Sequence, residues 1–328
     1  MRTLIKAAIA ACAITLSITP ALTSAKTVKL RVAHELAPTE PIHLAVTEFA
    51  EAVNKRSNGR LNITVFPSSQ LGSNRETYEQ VRQGAPIIQV VDPGYLSDYI
   101  PDFGILNGPY LIDDPYDFKK ILSSDWYAQL VKKADAKGFH PLAFNYFFGK
   151  RHMLGNKPHP DAASMQGVTM RIQPNPISVK TFGALGARGV ALPWVEVYSA
   201  LAQNVVDVVE APLGSLMGAK LQEQRKTLTL TGHFTAFVGL AMNEKIFYSL
   251  EPDLQQILVE EAVKAGDHMT EMTLVNDKKL LAELQKQGVT VVSDVDIASY
   301  RAATAKIYDE FPEWTPGSYA QIQAILKK

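Results

Sequence analysis

The fold of this chain is decided by the stretch G-V-T-M-R-I-Q-P-N-P at 167–176 and its continuation A-L-P-W-V-E-V-Y-S-A-L-A-Q-N-V-V-D-V-V-E-A-P-L at 191–213. It opens as a short apolar strand that ends on a single cation, Arg171. Pro174 and Pro176 restrict the residues before them to extended backbone, so a regular helix cannot follow at once. A helical run comes next, with Trp194, Val197, Tyr198 and Leu201 on one face, and then a strand over Val205–Val209. Strand, helix and strand in succession are the unit of an α/β fold. Ligands of such folds bind at strand ends. A guanidinium held there suits a carboxylate, which it grips with two charge-assisted hydrogen bonds. A surface ion pair explains a lone arginine equally well, and spacing alone leaves both readings open.

The same alternation runs outward in both directions. Val28–Ala33 reads as the first strand. Ile42, Ala45, Val46, Phe49, Ala50 and Val53 then mark one face of a helix that stops at Asn58-Gly59. Leu61, Ile63 and Val65 alternate with polar residues as a half-buried strand, followed by a helix near Arg75–Arg82 and a strand over Ile87–Val91. Leu142–Phe148 leaves this first lobe, and Gly149-Lys150-Arg151 opens a second. A helix around Ile177–Leu185 belongs to that lobe, and glycine-rich Gly183–Gly189 reads as its end and turn. Ala236–Met242 returns to the first lobe. Glu251–Gln287 is one long helical pattern with Leu254, Ile257, Leu258, Ala262, Ala265, Met269 and Met272 as its stripe, stopped by Gly288. The expected division is a leader at 1–25, lobe I at 26–148, lobe II at 149–236, and a return to lobe I with the long and C-terminal helices at 237–328.

Residues 1–25 read as a secretory signal peptide. Arg2 and Lys6 precede an apolar run over Ala7–Leu22, and Thr23-Ser24-Ala25 offers a small-residue cleavage site before Lys26. The segment contains Cys12, the one cysteine of the 328 residues, so the exported form has no thiol chemistry. The full chain balances 33 cationic and 33 acidic side chains. Removing the leader's two cations leaves a slightly acidic protein, which favours neither nucleic acid nor an anionic membrane. No later run is apolar enough to span a membrane. The seven histidines fall in no compact ligand spacing. No nucleophile elbow, phosphate-binding glycine loop or dinucleotide fingerprint is present. Together these point to binding without catalysis, cofactor or metal.

Four blocks join these motifs: F-P-S-S-Q-L-G-S-N-R-E at 66–76, G-V-T-M-R-I-Q-P-N-P at 167–176, L-P-W-V-E-V-Y-S-A-L at 192–201 and N-V-V-D-V-V-E-A-P-L at 204–213. With them the chain resembles the solute-binding proteins of tripartite ATP-independent periplasmic (TRAP) transporters, the dicarboxylate-binding-protein family. The resemblance implies a two-lobed periplasmic-binding-protein fold of class II type, spanned by a long helix. It also implies periplasmic capture of an organic acid and delivery to integral membrane permease subunits.

The resemblance makes Arg171 the carboxylate clamp and Arg151 a second basic site residue, whose alternative is a hinge ion pair. Trp194 matches an aromatic that covers the ligand, although its helix face also suits a core position. Glu35 and Asp92, at the ends of the first and third strands, would read ligand hydroxyls or an amine; capping the next helix is the competing role. Phe234 is either an apolar wall or core. One position departs from the pattern: many members carry Asn where this chain has Ala211, so a clamp donor is lost or supplied by Arg151 or a water. Two acids beside two arginines favour a hydroxylated monoacid over a plain dicarboxylate. The competing functions are the binding subunit of an ATP-driven importer and a periplasmic enzyme that orients a carboxylate on Arg171.

Overall fold

The computed structural model describes residues 27–327; the signal peptide expected at 1–25 lies outside them. Nine strands form one mixed sheet: β1 Val28–Ala33, β2 Leu61–Phe66, β3 Ile87–Val91, β4 His140–Gly155, β5 Thr169–Ile172, β6 Arg188–Ala191, β7 Val208–Pro212, β8 Thr227–Met242 and β9 Thr290–Val292. Their order is β2-β1-β3-β8-β4-β7-β5-β6, with β9 beside β8. At one end β1, β2 and β3 run parallel, and at the other β5, β6 and β7 do. The antiparallel pair β4 and β8 joins the two ends.

These connectors are each 16 residues long, about 50 Å of extended chain. The last four residues of β8, Gly239–Met242, pair with β3, whereas Arg151–Leu154 of β4 pairs with β7. The sequence places the end of the first of these strands at Phe148, with Gly149-Lys150-Arg151 opening the second lobe. The strand continues because Arg151 is buried on an acid of the neighbouring strand. The crossover is irregular: the register slips between Phe147 and Gly149, and Gly149 and Gly232 take φ of +117° and +54°. Glycine carries these positive angles without the steric penalty of a side chain.

Separate cores fill the two halves. Val32, Phe49, Ile63 and Leu258 lie in one core of the β1–β3 half, and Phe103, Phe144 and Phe237 in another. Leu154, Leu201 and Val209 lie in one core of the β5–β7 half, and Met170, Phe182 and Phe234 in another. The helix Pro252–Lys286 is 35 residues, about 52 Å long. It packs Leu254 into the first half and Leu284 into the second. Met272, expected in its buried stripe, is half-buried, and Thr273 is buried instead.

The deciding stretch folds with local corrections. Asn175 is extended (φ −143°, ψ 155°) and caps the helix Pro176–Ala184 by accepting a hydrogen bond from Ser178 N. Pro176 is thus the first helical residue, where its missing N–H costs nothing. Trp194–Glu196 is a 3₁₀ turn that leads into the helix Val197–Ala202. Trp194 and Val197 align at its three-residue period, while Tyr198 turns outward and donates to Glu223. The strand expected over Val205–Val209 is β7, displaced to Val208–Pro212. Val205 is half-exposed at 50 % because it closes the helix end, Val205 N donating to Ala200 O at 2.8 Å.

Candidate ligand-binding site

The topology brings the carboxyl ends of β1, β3, β5 and β7 together, which is where α/β sheets place ligands. Glu35 follows β1, Asp92 follows β3, Arg171 lies in β5 and Ala211 in β7. Between the halves lie two small cavities of about 40 and 30 Å³ that share Glu35, Leu36, Phe148 and Gln173. Asp92 and Tyr95 line the first; Arg151, Arg171, Trp194 and Ala211 line the second. Spaces of this size admit a few waters, so the two halves stand closed over the cleft.

Arg171 is 1 % exposed. Its Nε and Nη2 both donate to Leu192 O, at 3.0 and 2.8 Å. Among the described residues its Nη1 has no acceptor. The Trp194 ring lies 5.4 Å from the guanidinium carbon, within cation–π range. Burial lowers the Arg171 pKa from its ordinary value, opposed by Tyr95 and Glu210. This is a cation fixed along one edge and flanked by an aromatic, with its remaining donors at the cleft.

Arg151 is differently placed. It donates Nη2 to Glu210 Oε1 at 2.7 Å and to Glu210 O at 3.1 Å, and its Nε also bonds the Glu210 carboxylate. Both partners are buried. Burial raises the Glu210 pKa, but Arg151 and then His233 outweigh it and hold the carboxyl at about 2. His233 Nε2 lies 3.3 Å from Glu210 Oε2, and its Nδ1 lies 2.7 Å from Thr231 Oγ1. The hinge ion pair is therefore the arrangement present. Among the described residues the Nη1 of Arg151 has no acceptor, and Arg151 lines the smaller cavity beside the methyl of Ala211.

Burial pushes the Glu35 carboxyl up to about 7, with Arg171 pulling it down and Asp92 and Glu40 pushing it further up. Asp92 combines a capping role with a place in the cleft wall. It caps the helix Pro93–Leu96, Oδ1 accepting from Gly94 N at 2.7 Å and Tyr95 N at 3.3 Å, and it lines the larger cavity. Phe234 lines neither. It packs at the core edge-on to Phe182, with ring centroids 5.9 Å apart.

A family model described as bacterial extracellular solute-binding protein, family 7 (DctP), matches residues 32–313. The chain belongs to this family. A TRAP periplasmic solute-binding protein from Ochrobacterium anthropi, solved with bound L-fuconate, superposes with a TM-score of 0.88 at 35 % identity, covering 92 % of this chain and 99 % of that one. One from Actinobacillus succinogenes, with bound L-galactonate, gives 0.88 at 32 % identity over 92 % and 99 %. The 2,3-diketo-L-gulonate-binding periplasmic protein of Escherichia coli is 26 % identical over 90 % of both chains. The two-lobed α/β architecture is thus that of TRAP solute-binding proteins. Among the described residues no helix is long and apolar enough to cross a membrane.

Several cleft residues of this solute-binding protein escape a reading by sequence. Gln173 lines both cavities, and Asn74, Tyr95 and Ser215 complete the walls. Gln173 and Asn74 sit inside the motif blocks at 167–176 and 66–76, so the blocks themselves were the available signal. Glu210 lies inside the block at 204–213, but its pairing with Arg151 is not readable there, because the two meet only through the β4–β7 register.

Proposed function

We propose that this protein captures a hydroxylated monocarboxylate of the sugar-acid class outside the cytoplasm, after export by its leader, and hands it to a TRAP permease. The observation that carries this is the unequal state of the two cleft arginines. Arg171 bonds only a neutral carbonyl and keeps its charge for a ligand, while the charge of Arg151 is neutralised by Glu210. One carboxylate therefore finds one free cation. The opposite wall offers Glu35 and Asp92, with Gln173 and Asn74 between. Such groups suit hydroxyls, and in their ionised form they repel a second carboxylate or a phosphate. L-fuconate and L-galactonate, held by the two solved relatives, are molecules of this kind.

With the two halves closed over these cavities, a six-carbon acid enters only when the lobes open, and they close on it. The bend falls on β4, β8 and the long helix, in the manner of hinge closure. Sequestration without turnover is the expected activity. A thermal-shift screen of sugar acids, dicarboxylates, keto acids and zwitterions tests the reading, since a ligand of the folded state raises Tm by mass action. Stabilisation by aldonates, one-to-one and with no product formed, supports it. Stabilisation by C4-dicarboxylates alone contradicts the monoacid assignment.

A further inference from the structure

Glu40 closes the turn that precedes the helix Pro41–Arg56, in the β1–β3 half. It is 2 % exposed, although a carboxylate is costly to bury. Its Oε1 accepts from Ala37 N at 3.1 Å, within its own turn. Its Oε2 accepts from Ser215 Oγ at 2.7 Å, and Ser215 belongs to the other half, in the helix Leu213–Gly218 that follows β7. The surface it meets is bare backbone. A Cβ placed on Gly218 would lie 2.7 Å from Glu40 Oε1 and 2.9 Å from its Cγ. One placed on Gly214 would lie 3.7 Å from Pro41 Cδ. The glycine at 218 is what allows the carboxylate to seat.

The same turn carries ligand-cleft residues. Glu35 and Leu36 line both cavities, and Glu40 N donates back to Ala37 O at 3.1 Å. Ala37–Glu40 is thus a hydrogen-bonded turn that follows directly on the cavity-lining Glu35 and Leu36 and ends on the opposite lobe.

We propose that the Glu40–Ser215 contact, seated on Gly218, is an interlobe latch that sets the closed-to-open ratio and positions Glu35 opposite Arg171. Glu40 is a positioning residue and touches no ligand. The latch rests on the reading of the cleft as the binding site, because only then does closure retain anything. It supplies a contact made in the closed state and lost when the lobes part. Its strength therefore governs how slowly a captured acid leaves, with little effect on how fast it enters.

The test measures interlobe distance by pulsed electron spin resonance in the Cys12→Ser chain, with labels at Glu51→Cys and Arg188→Cys, both exposed positions on opposite lobes. Distances are recorded without ligand and with L-fuconate as the probe. Gly218→Ala, Glu40→Ala and Ser215→Ala should each lower the closed-to-open ratio about tenfold, as expected for one hydrogen bond to a carboxylate. Glu40→Gln, which keeps an acceptor, should retain most of it. In the Glu40→Ala background Gly218→Ala should have no further effect, because the new methyl then meets empty space. L-fuconate dissociation should quicken about tenfold in the single variants while association holds within twofold. Unchanged distances in Gly218→Ala, or an equal effect of Gly218→Ala in both backgrounds, would overturn the latch. Failure of the cleft reading is separately visible: wild type then ignores L-fuconate, while the ligand-free comparison still judges the latch.

Discussion

Arg171 spends two donors on a single acceptor, the carbonyl of Leu192, with Nε at 3.0 Å and Nη2 at 2.8 Å. The carbonyl belongs to the segment that ends in Pro193-Trp194, so the strand-end cation and the aromatic beside it are fixed by one contact. The guanidinium can serve the backbone and a ligand together only because its fork is planar and has five donors.

Arg171→Lys should therefore fail almost as badly as Arg171→Ala. An ammonium that keeps Leu192 cannot also grip a carboxylate at two points. Each variant should lose about 1.5–3 kcal/mol of binding, ten- to a hundred-fold in Kd. Isothermal calorimetry with the acid found by thermal shift checks this, and wild-type affinity in the lysine variant would contradict it.

Trp194→Ala removes the ring from over Arg171. Loss of a cation–π contact of about 0.5–2 kcal/mol should raise Kd roughly two- to thirty-fold, with Trp194→Phe retaining most of the affinity. An alanine variant as tight as wild type would show that the ring only packs.

Glu210 and Arg151 form a buried pair, and removing one charge strands the other. Glu210→Gln should cost about 3–5 kcal/mol of stability at neutral pH. The folded carboxyl sits at about 2 against an ordinary 4.5. Its contribution is therefore complete above pH 4.5 and is lost as pH falls from there toward 2. Denaturant midpoints of the two proteins should converge on acidification. A gap that stays constant down to pH 3 would contradict this.

Glu35 carries the opposite sign. Burial lifts its folded pKa from 4.5 to about 7, so the folded state holds a proton that the unfolded state has released. Stability contributed here falls as pH rises from 4.5 to 7. Glu35→Gln should be more stable than wild type by about 1–3 kcal/mol at pH 8, and the gain should vanish near pH 4.5. Thermal unfolding across that range reads it directly; a gain that grows on acidification would reverse the assignment.

Elements whose residues face one environment throughout were legible in the sequence. Val28–Ala33 and Ile87–Val91 form where expected, and the long helix spans Pro252–Lys286 against an expected Glu251–Gln287. The through-strands were not, because β4 changes surroundings at Gly149 and buries Arg151 where the pattern shows only polarity. At the site, the strand-end positions of Glu35, Asp92, Arg171 and Ala211 could be read. The fate of Arg151 could not, since its partner lies 59 residues away and meets it only through sheet register. Phe234, beside the buried His233, looks the same in sequence whether it faces a cleft or a core.

The central claim is that one free guanidinium takes one carboxylate. Calorimetric titration of L-fuconate and succinate into wild type and Arg171→Ala tests it most directly. The expected result is one-to-one binding of L-fuconate, weak or absent binding of succinate, and a ten- to hundred-fold loss for L-fuconate in Arg171→Ala. Succinate binding more tightly than L-fuconate, or L-fuconate binding unchanged in Arg171→Ala, would contradict it.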